Sequence, residues 1–367
     1  MTRWLWRASL LLFPLALFAR LVWPRTPTVV FVLSALSLMP LAKTIGDATE
    51  DLAERVGPTI GSLLNVTFGN AAELILGISA LARGHLPLVK GSITGSIVAN
   101  LLLVAGASIV AGGTRFPTLR FNRTAAGASV STLFLAVVAL AVPTLLATAG
   151  RSPESAHLLS EEIAVVLIAM YGLVLLFQLH THAGLLDAGE GSRGPLYATP
   201  AEAAAAARPR VHEPHNPLWK SVAALVASAG ATAIASELLV GSLEGTLHAV
   251  HLPETFVGVV IVAVIGNAAE HSAAVLFGYR GDMDVALGIA WESSKQVALF
   301  VAPVLVFAGV LFGAEMDLAF RPLESIGVGV AVISTALIAL DGETHWLEGA
   351  FLLAVYAVLC IGFWFVG

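Results

Sequence analysis

Charge is scarce in this chain. Asp, Glu, Lys and Arg make up 12% of its 367 residues, about half the share of a soluble domain, and that excludes an ordinary water-facing fold. Cysteine is scarcer still. Cys360 stands alone, so no intrachain disulfide can form. The apolar runs also lack period-two alternation and are far longer than a barrel strand needs, which argues against a β-barrel. The formal net charge of −6 says little about partners, because charge in such a chain is weighed loop by loop. No nucleic acid is expected among them.

What the chain does have is oil. Residues of the hydrophobic classes make up 57% of it. Ala128–Leu146, Glu162–Leu179 and Phe351–Gly367 are almost free of charge, and each is long enough to cross about 30 Å of hydrocarbon as a helix. The expected class is an all-α polytopic membrane protein. The N-terminal "MTRWLWRASLLLFPLALFARLVW" could be a signal peptide. It shows no small-x-small cleavage site, and Trp23-Pro24-Arg25 follows at once, so it reads as a retained first helix.

Turn residues and charges divide the apolar sequence into about eleven helices, over 4–23, 27–55, 58–83, 87–113, 121–147, 157–180, 216–247, 254–279, 283–312, 323–340 and 345–366. The one long polar stretch, 181–217, is rich in Ala, Gly and Pro and reads as a flexible linker. The expected organisation is an N-terminal helix (1–25), a first five-helix unit (26–180), a cytoplasmic linker (181–217) and a second five-helix unit (218–367). Five is odd, so the second unit enters the membrane upside down relative to the first.

The sequence carries a matching repeat. Shifted by 197 positions, Gly69–Ala107 lies on Gly266–Val304 without a gap. Gly-Asn-Ala-Ala-Glu occurs at 69–73 and again at 266–270. Arg83/Arg280, Gly84/Gly281, Gly91/Gly288, Ser96/Ser293, Leu102/Leu299, Val104/Val301 and Ala105/Ala302 coincide as well. Inverted repeats of this kind mark secondary transporters, with the site at the midplane where the two units meet. With the N-terminus inside, eleven loop Lys and Arg residues face the cytoplasm and six face out. That favours a cytoplasmic N-terminus and linker and an external C-terminus. The excess of Arg over Lys and the abundant Ala point to a bacterial plasma membrane.

A carboxylate in mid-bilayer is costly unless it faces a cavity or a partner, so Glu73 and Glu270 are functional candidates. Asn70 and Glu73 are three apart, as are Asn267 and Glu270, which puts each pair on one helical face. Gly69 and Gly266 allow a close approach or a helix break and are candidate hinges. The bland reading is that each Glu only hydrogen-bonds a neighbouring helix. The next helix of each unit adds neutral oxygens: Ser96 with Asn100, and Ser293 with Gln296. Each of these alone could equally be a helix–helix contact. Together with two carboxylates they form a hard-ligand set that suits Ca²⁺ better than Zn²⁺ or Cu⁺. Two carboxylates sharing a dry site repel each other and take up protons, and a divalent cation expels them. Competition at one alternately exposed site gives exchange. No cofactor is expected, and Ca²⁺ enters as cargo.

The chain resembles the cation/proton exchanger family, the Ca²⁺/H⁺ antiporters of the calcium/cation antiporter superfamily. The resemblance lies in "PLAKTIGDATEDLA" (40–53), "LLNVTFGNAAELI" (63–75), "FQLHTHAGLL" (177–186), "GNAAEHSAAVLFG" (266–278), "SSKQVALFVAP" (293–303) and "DGETHWLEGAFLLAVY" (341–356). It implies eleven helices in two inverted repeats, no enzymatic activity, and a cation and protons held in turn by Glu73 and Glu270. It further implies that Asn70, Asn267, His271, Ser293 and Gln296 line the site and that flanking helices slide. Glu292 and Lys295 depart from the family's small, apolar pattern before the Gln. Three apart, they can pair with each other. On a helical wheel Lys295 lies about 100° from Gln296 and about 160° from Ser293, which should point it away from the site; if it instead reaches the carboxylates, it acts as an internal cation and weakens divalent binding. The linker's acids are Asp187, Glu190, Glu202 and Glu213, too few for the acidic regulatory helix of some relatives.

Glu50 and Glu237 are candidate gates for entry, or else helix-end residues near headgroups. Asp341, Glu343 and Glu348 read as caps around a short turn. His180, His182, His212 and His215 read as a solvated linker rather than a sensor. A Na⁺/Ca²⁺ exchanger, a Na⁺(K⁺)/H⁺ exchanger, a channel and an intramembrane metal-dependent hydrolase are the alternatives, and homo-oligomerisation stays open. The sodium-coupled branch usually carries an Asp where this chain has Ser96–Asn100 and Ser293–Gln296. Outside His271, the apolar segments hold no Cys or His cluster for a hydrolase.

Overall fold

The computed structural model describes residues 8–23, 25–56, 58–150, 153–181, 217–314 and 316–366. The start of the expected first helix, most of the expected linker with its four acids, and His182, His212 and His215 lie outside the described residues.

The described chain is helical almost throughout. Its elements are α1 (Leu12–Val22), α2 (Pro27–Val56), α3 (Pro58–Gly69), α4 (Ala71–Ala82), α5 (Leu86–Val98), α6 (Ala105–Gly113), α7 (Arg123–Thr148) and α8 (Pro153–Leu176). After the linker come α9 (Leu218–Val250), α10 (Glu254–Phe256), α11 (Ala263–Gly266), α12 (Ala268–Arg280), α13 (Met283–Gln296), α14 (Ala302–Phe312), α15 (Pro322–Ile338) and α16 (Trp346–Val366). Four wider π-helical segments join some of them: π1 (Ala99–Val104), π2 (Phe177–Thr181), π3 (Val257–Val262) and π4 (Val297–Val301). Among the described residues the one β-ladder is a two-residue antiparallel pairing of β1 (Leu119–Arg120) with β2 (Glu343–Thr344). It fastens the turn before α16, where Asp341 accepts from the Glu343 amide at 3.1 Å and Glu348 from the Thr344 hydroxyl at 2.7 Å.

Seven described helices are long and apolar enough to cross a membrane, counting α5–π1–α6 and α13–π4–α14 as one each. The segment from Glu254 to Arg280 makes an eighth, bent by 63° between its two parts. The continuous helices expected over 58–83 and 254–279 are therefore both interrupted, at Asn70 and at Asn267. The cause is local. Asn70 (φ −99, ψ 16) and Asn267 (φ −99, ψ 10) leave the helical region in the same way, straight after a glycine.

The chain is apolar outside as well as in its core, with small polar residues buried between helices. Leu311, Phe365 and Val226 stand exposed on the outside, while Ser34, Thr94, Thr232 and Ser236 are buried. An apolar exterior of this extent is what a bilayer solvates. The long helices α2 and α9 run against each other, and α5 crosses π3 closely. That crossing depends on missing side chains. A Cβ on Gly91 would stand 3.0 Å from the Thr255 carbonyl, and one on Gly95 would overlap the Val259 backbone.

Candidate ion-binding site

The two breaks carry the two carboxylates inward. Each Glu is the third residue of the half-helix that follows its Asn, Glu73 on α4 and Glu270 on α12. The first turn of a helix offers unpaired amides and the positive end of its dipole, a favourable place for a carboxylate. The carboxylates of Glu73 and Glu270 lie near enough to feel each other's charge. Glu73 also reaches across to the other break: a Cβ on Gly266 would stand 3.8 Å from Glu73 Oε1.

Amides and hydroxyls from both halves interlock around them. Asn70 Nδ2 donates to Gln296 Oε1 at 2.6 Å. Asn267 Nδ2 donates to Ser96 Oγ at 3.2 Å and to the Ala263 carbonyl at 3.1 Å. Asn100 Nδ2 donates to Ser293 Oγ at 2.9 Å, and Ser293 lies beside Glu270. His271 Nε2 sits 3.0 Å from Asn100 Oδ1. Asn100 belongs to π1, and π4 begins directly after Gln296. Such widened turns displace a helical ladder and are frequent at functional sites.

Asn267 uses its donor within the protein and leaves its acceptor over, and each carboxylate also leaves an acceptor over. Glu73 Oε2, Glu270 Oε2 and Asn267 Oδ1 are buried with no hydrogen-bond partner among the described residues. Buried acceptors are normally satisfied, and three acceptors in one neighbourhood call for something positive. A small cavity adjoins Glu73 and Asn267, with room for one small occupant. Glu73, Ser96, Gly266 and Asn267 line it, and Leu38, Leu76 and Leu305 close it with oil. Glu270 is not among its lining residues.

The sequence-picked residues divide into three groups. Asn70, Glu73, Ser96, Asn100, Asn267, Glu270, His271, Ser293 and Gln296 come together, with Gly69 and Gly266 ending the helices before each break. Glu50 is exposed on α2. Glu237 on α9 accepts from Arg83 Nε at 2.8 Å at the end of α4, and both are exposed. Lys295 pairs with Glu292 and donates to Ser129 Oγ at 3.2 Å, turned away from Glu270. Two ties between the halves escaped the sequence reading: Lys90 Nζ to Asp317 at 2.6 Å and His85 Nδ1 to Glu254 at 3.1 Å. Their partners stand 227 and 169 positions apart, and no spacing rule reaches that far.

Membrane-length apolar helices, with two helices broken just before a buried carboxylate, fit the class of membrane transporters. The family model described as sodium/calcium exchanger protein matches residues 26–180 and 220–365, and the chain belongs to that family. A Ca²⁺/H⁺ antiporter of Aphanothece halophytica is 43% identical over 338 residues, covering 92% of this chain and 90% of that protein. A Ca²⁺/H⁺ antiporter of Synechocystis sp. is also 43% identical, over 340 residues, covering 92% and 91%. The solved structure of native YfkE superposes with a TM-score of 0.80 at 33% identity, covering 96% of this chain and 97% of that one.

Proposed function

We propose that the chain exchanges Ca²⁺ for protons across a bacterial plasma membrane. The carrying observation is that Glu73, Glu270 and Asn267 each keep a buried, unpartnered oxygen, with Glu73 and Asn267 lining one small cavity. The 43%-identical relatives named Ca²⁺/H⁺ antiporters support the same pair of ions.

In this reading Glu73 and Glu270 are either both ionised around Ca²⁺ or take up protons when it leaves. Asn267 Oδ1 and the hydroxyls of Ser96 and Ser293 supply neutral oxygens, as a hard cation prefers. Asn70, Gln296 and Asn100 hold these groups in place across the two halves. The breaks after Gly69 and Gly266 let the half-helices move against the rest, so that the site opens to each side in turn. Eleven spans in two inverted five-helix units, with the N-terminus and linker inside and the C-terminus outside, complete the reading.

The test is radiolabelled Ca²⁺ uptake into proteoliposomes driven by a pH gradient, for the wild type, Glu73→Gln and Glu270→Gln. Both substitutions should abolish uptake. Uptake that survives both, or that only a Na⁺ gradient drives, overturns the proposal.

A further inference from the structure

The helix that presents Ser293 and Gln296 also holds a buried charge that the exchange cycle does not use. Lys295 is 3% exposed. Its ammonium forms an ion pair with Glu292 and donates to Ser129 Oγ at 3.2 Å. Glu292 Oε1 also accepts from Gln178 Nε2 at 3.1 Å. Ser129 lies on α7 and Gln178 in π2, so the pair ties α13 to the last two helices before the linker.

The pair is no part of the duplicated plan. At the matching positions of the first half, 197 earlier, stand Gly95 and Val98. Gly91 is packed so closely that a Cβ would stand 3.0 Å from the Thr255 carbonyl, whereas its counterpart Gly288, one turn before Glu292, meets nothing within 4 Å. The second half is thus looser at Gly288 than the first is at Gly91, and one turn further on the charged pair takes the place of Gly95 and Val98.

Its position on α13 gives it leverage over the site. Ser293 and Gln296 share one face of the helix, and Glu292 and Lys295 share another about 100° round. A rotation that carried Ser293 away from Glu270, or Gln296 away from Asn70, would pull Lys295 off Ser129 and Glu292 off Gln178. The α-ladder gives way to π4 directly after Gln296, so an anchor just before that point sets the helix's angle.

We propose that Glu292 and Lys295 are positioning residues. They hold Ser293 and Gln296 toward the carboxylates and so set how tightly the transported divalent cation binds. The proposal rests on the Ca²⁺/H⁺ exchange reading. Glu292 itself is 41% exposed; if it only neutralised the buried Lys295, a neutral replacement of both with similar shape would cost little.

The experiment measures initial Ca²⁺ uptake against Ca²⁺ concentration in proteoliposomes at a fixed pH gradient. It compares the wild type, the neutral double variant E292Q/K295M, the charge-swapped E292K/K295E and Glu73→Gln. Thermal unfolding of each purified variant, with and without Ca²⁺, checks folding and binding apart from transport. In E292Q/K295M, KM for Ca²⁺ should rise about tenfold while the maximal rate stays within about twofold, as for removal of groups that orient ligands. Ca²⁺ should stabilise this variant only at correspondingly higher concentration. The charge swap should bring KM back toward the wild type. A folded E292Q/K295M with wild-type KM, or with a reduced maximal rate and unchanged KM, overturns the positioning role while leaving the exchange reading intact. A wild type without pH-driven uptake, or a Glu73→Gln that keeps it, overturns the exchange reading and removes the basis of this one.

Discussion

Asn70 and Gln296, 226 positions apart, meet at 2.6 Å with the Asn amide donating to the Gln oxygen. The bond joins the break in one half of the molecule to the second helix of the other. Asn267 to Ser96 and Asn100 to Ser293 cross between the halves in the same way. Side-chain amides suit this task. They carry donors and acceptors without charge, so they can brace a site while its carboxylates change charge.

Removing either partner leaves the other's polar atoms unsatisfied inside the protein. Asn70→Ala and Gln296→Ala should each lower stability by about 1–3 kcal/mol. The double variant should lose less than the sum, by at least about 0.5 kcal/mol, because the second truncation removes a group already orphaned. Thermal unfolding in detergent measures all three. Strict additivity would mean that the contact contributes nothing.

A second expectation concerns pH. If Ca²⁺ and protons compete for Glu73 and Glu270, apparent Ca²⁺ affinity must fall as pH falls, because the cation then has protons to displace. The slope follows from linkage: where both carboxylates are protonated, affinity drops by up to about a hundredfold per pH unit, and where one is, by about tenfold. Ca²⁺-dependent stabilisation of the purified protein, titrated at several pH values, reports the slope without transport. An affinity independent of pH would exclude direct competition.

Much of this site was legible because it is written twice. The word Gly-Asn-Ala-Ala-Glu and its gapless extension pick out positions that also share backbone geometry. Asn70 and Asn267 have nearly the same φ and ψ, and Gly84 and Gly281 both have positive φ, +77 and +89. The breaks were legible to within one residue; what could not be read was what ties the halves together. Glycine looked like the hinge, yet the backbone departs at the asparagine after it. The π segments leave no periodicity to detect within runs that are apolar on every side. Gln178 meets Glu292 across 114 positions and Lys90 meets Asp317 across 227, contacts set by how helices stack and not by any local pattern.

The crossing of α5 and π3 makes a third prediction. Gly95 has no room for a methyl group beside Val259, while Gly288 on α13 faces open space. Gly95→Ala should therefore cost about 1–3 kcal/mol through overpacking. Gly288→Ala should be neutral or stabilise by up to about 1 kcal/mol, since alanine restricts the unfolded chain and favours a helix interior. Both are read from unfolding temperatures. Equal effects at the two sites would contradict the asymmetric packing.

Arg83 and Glu237 make the last prediction. The pair joins the end of α4, which carries Glu73, to α9 of the other half, and the side chains are 43% and 50% exposed. An ion pair so exposed contributes at most about 1 kcal/mol to stability, so Arg83→Ala and Glu237→Ala should unfold close to the wild-type temperature. Transport is a different matter if this tie must open in each cycle. Breaking it from either end removes the same contact, so both single variants and the double should change the maximal rate by one common factor. That factor should not exceed about fivefold, the rate equivalent of about 1 kcal/mol. KM for Ca²⁺ should stay unchanged, because the pair lies apart from the carboxylates at the cavity. Initial uptake rates in proteoliposomes decide it. Should the double variant show the product of the two single effects, Arg83 and Glu237 act separately, and Glu237 does not gate through this contact.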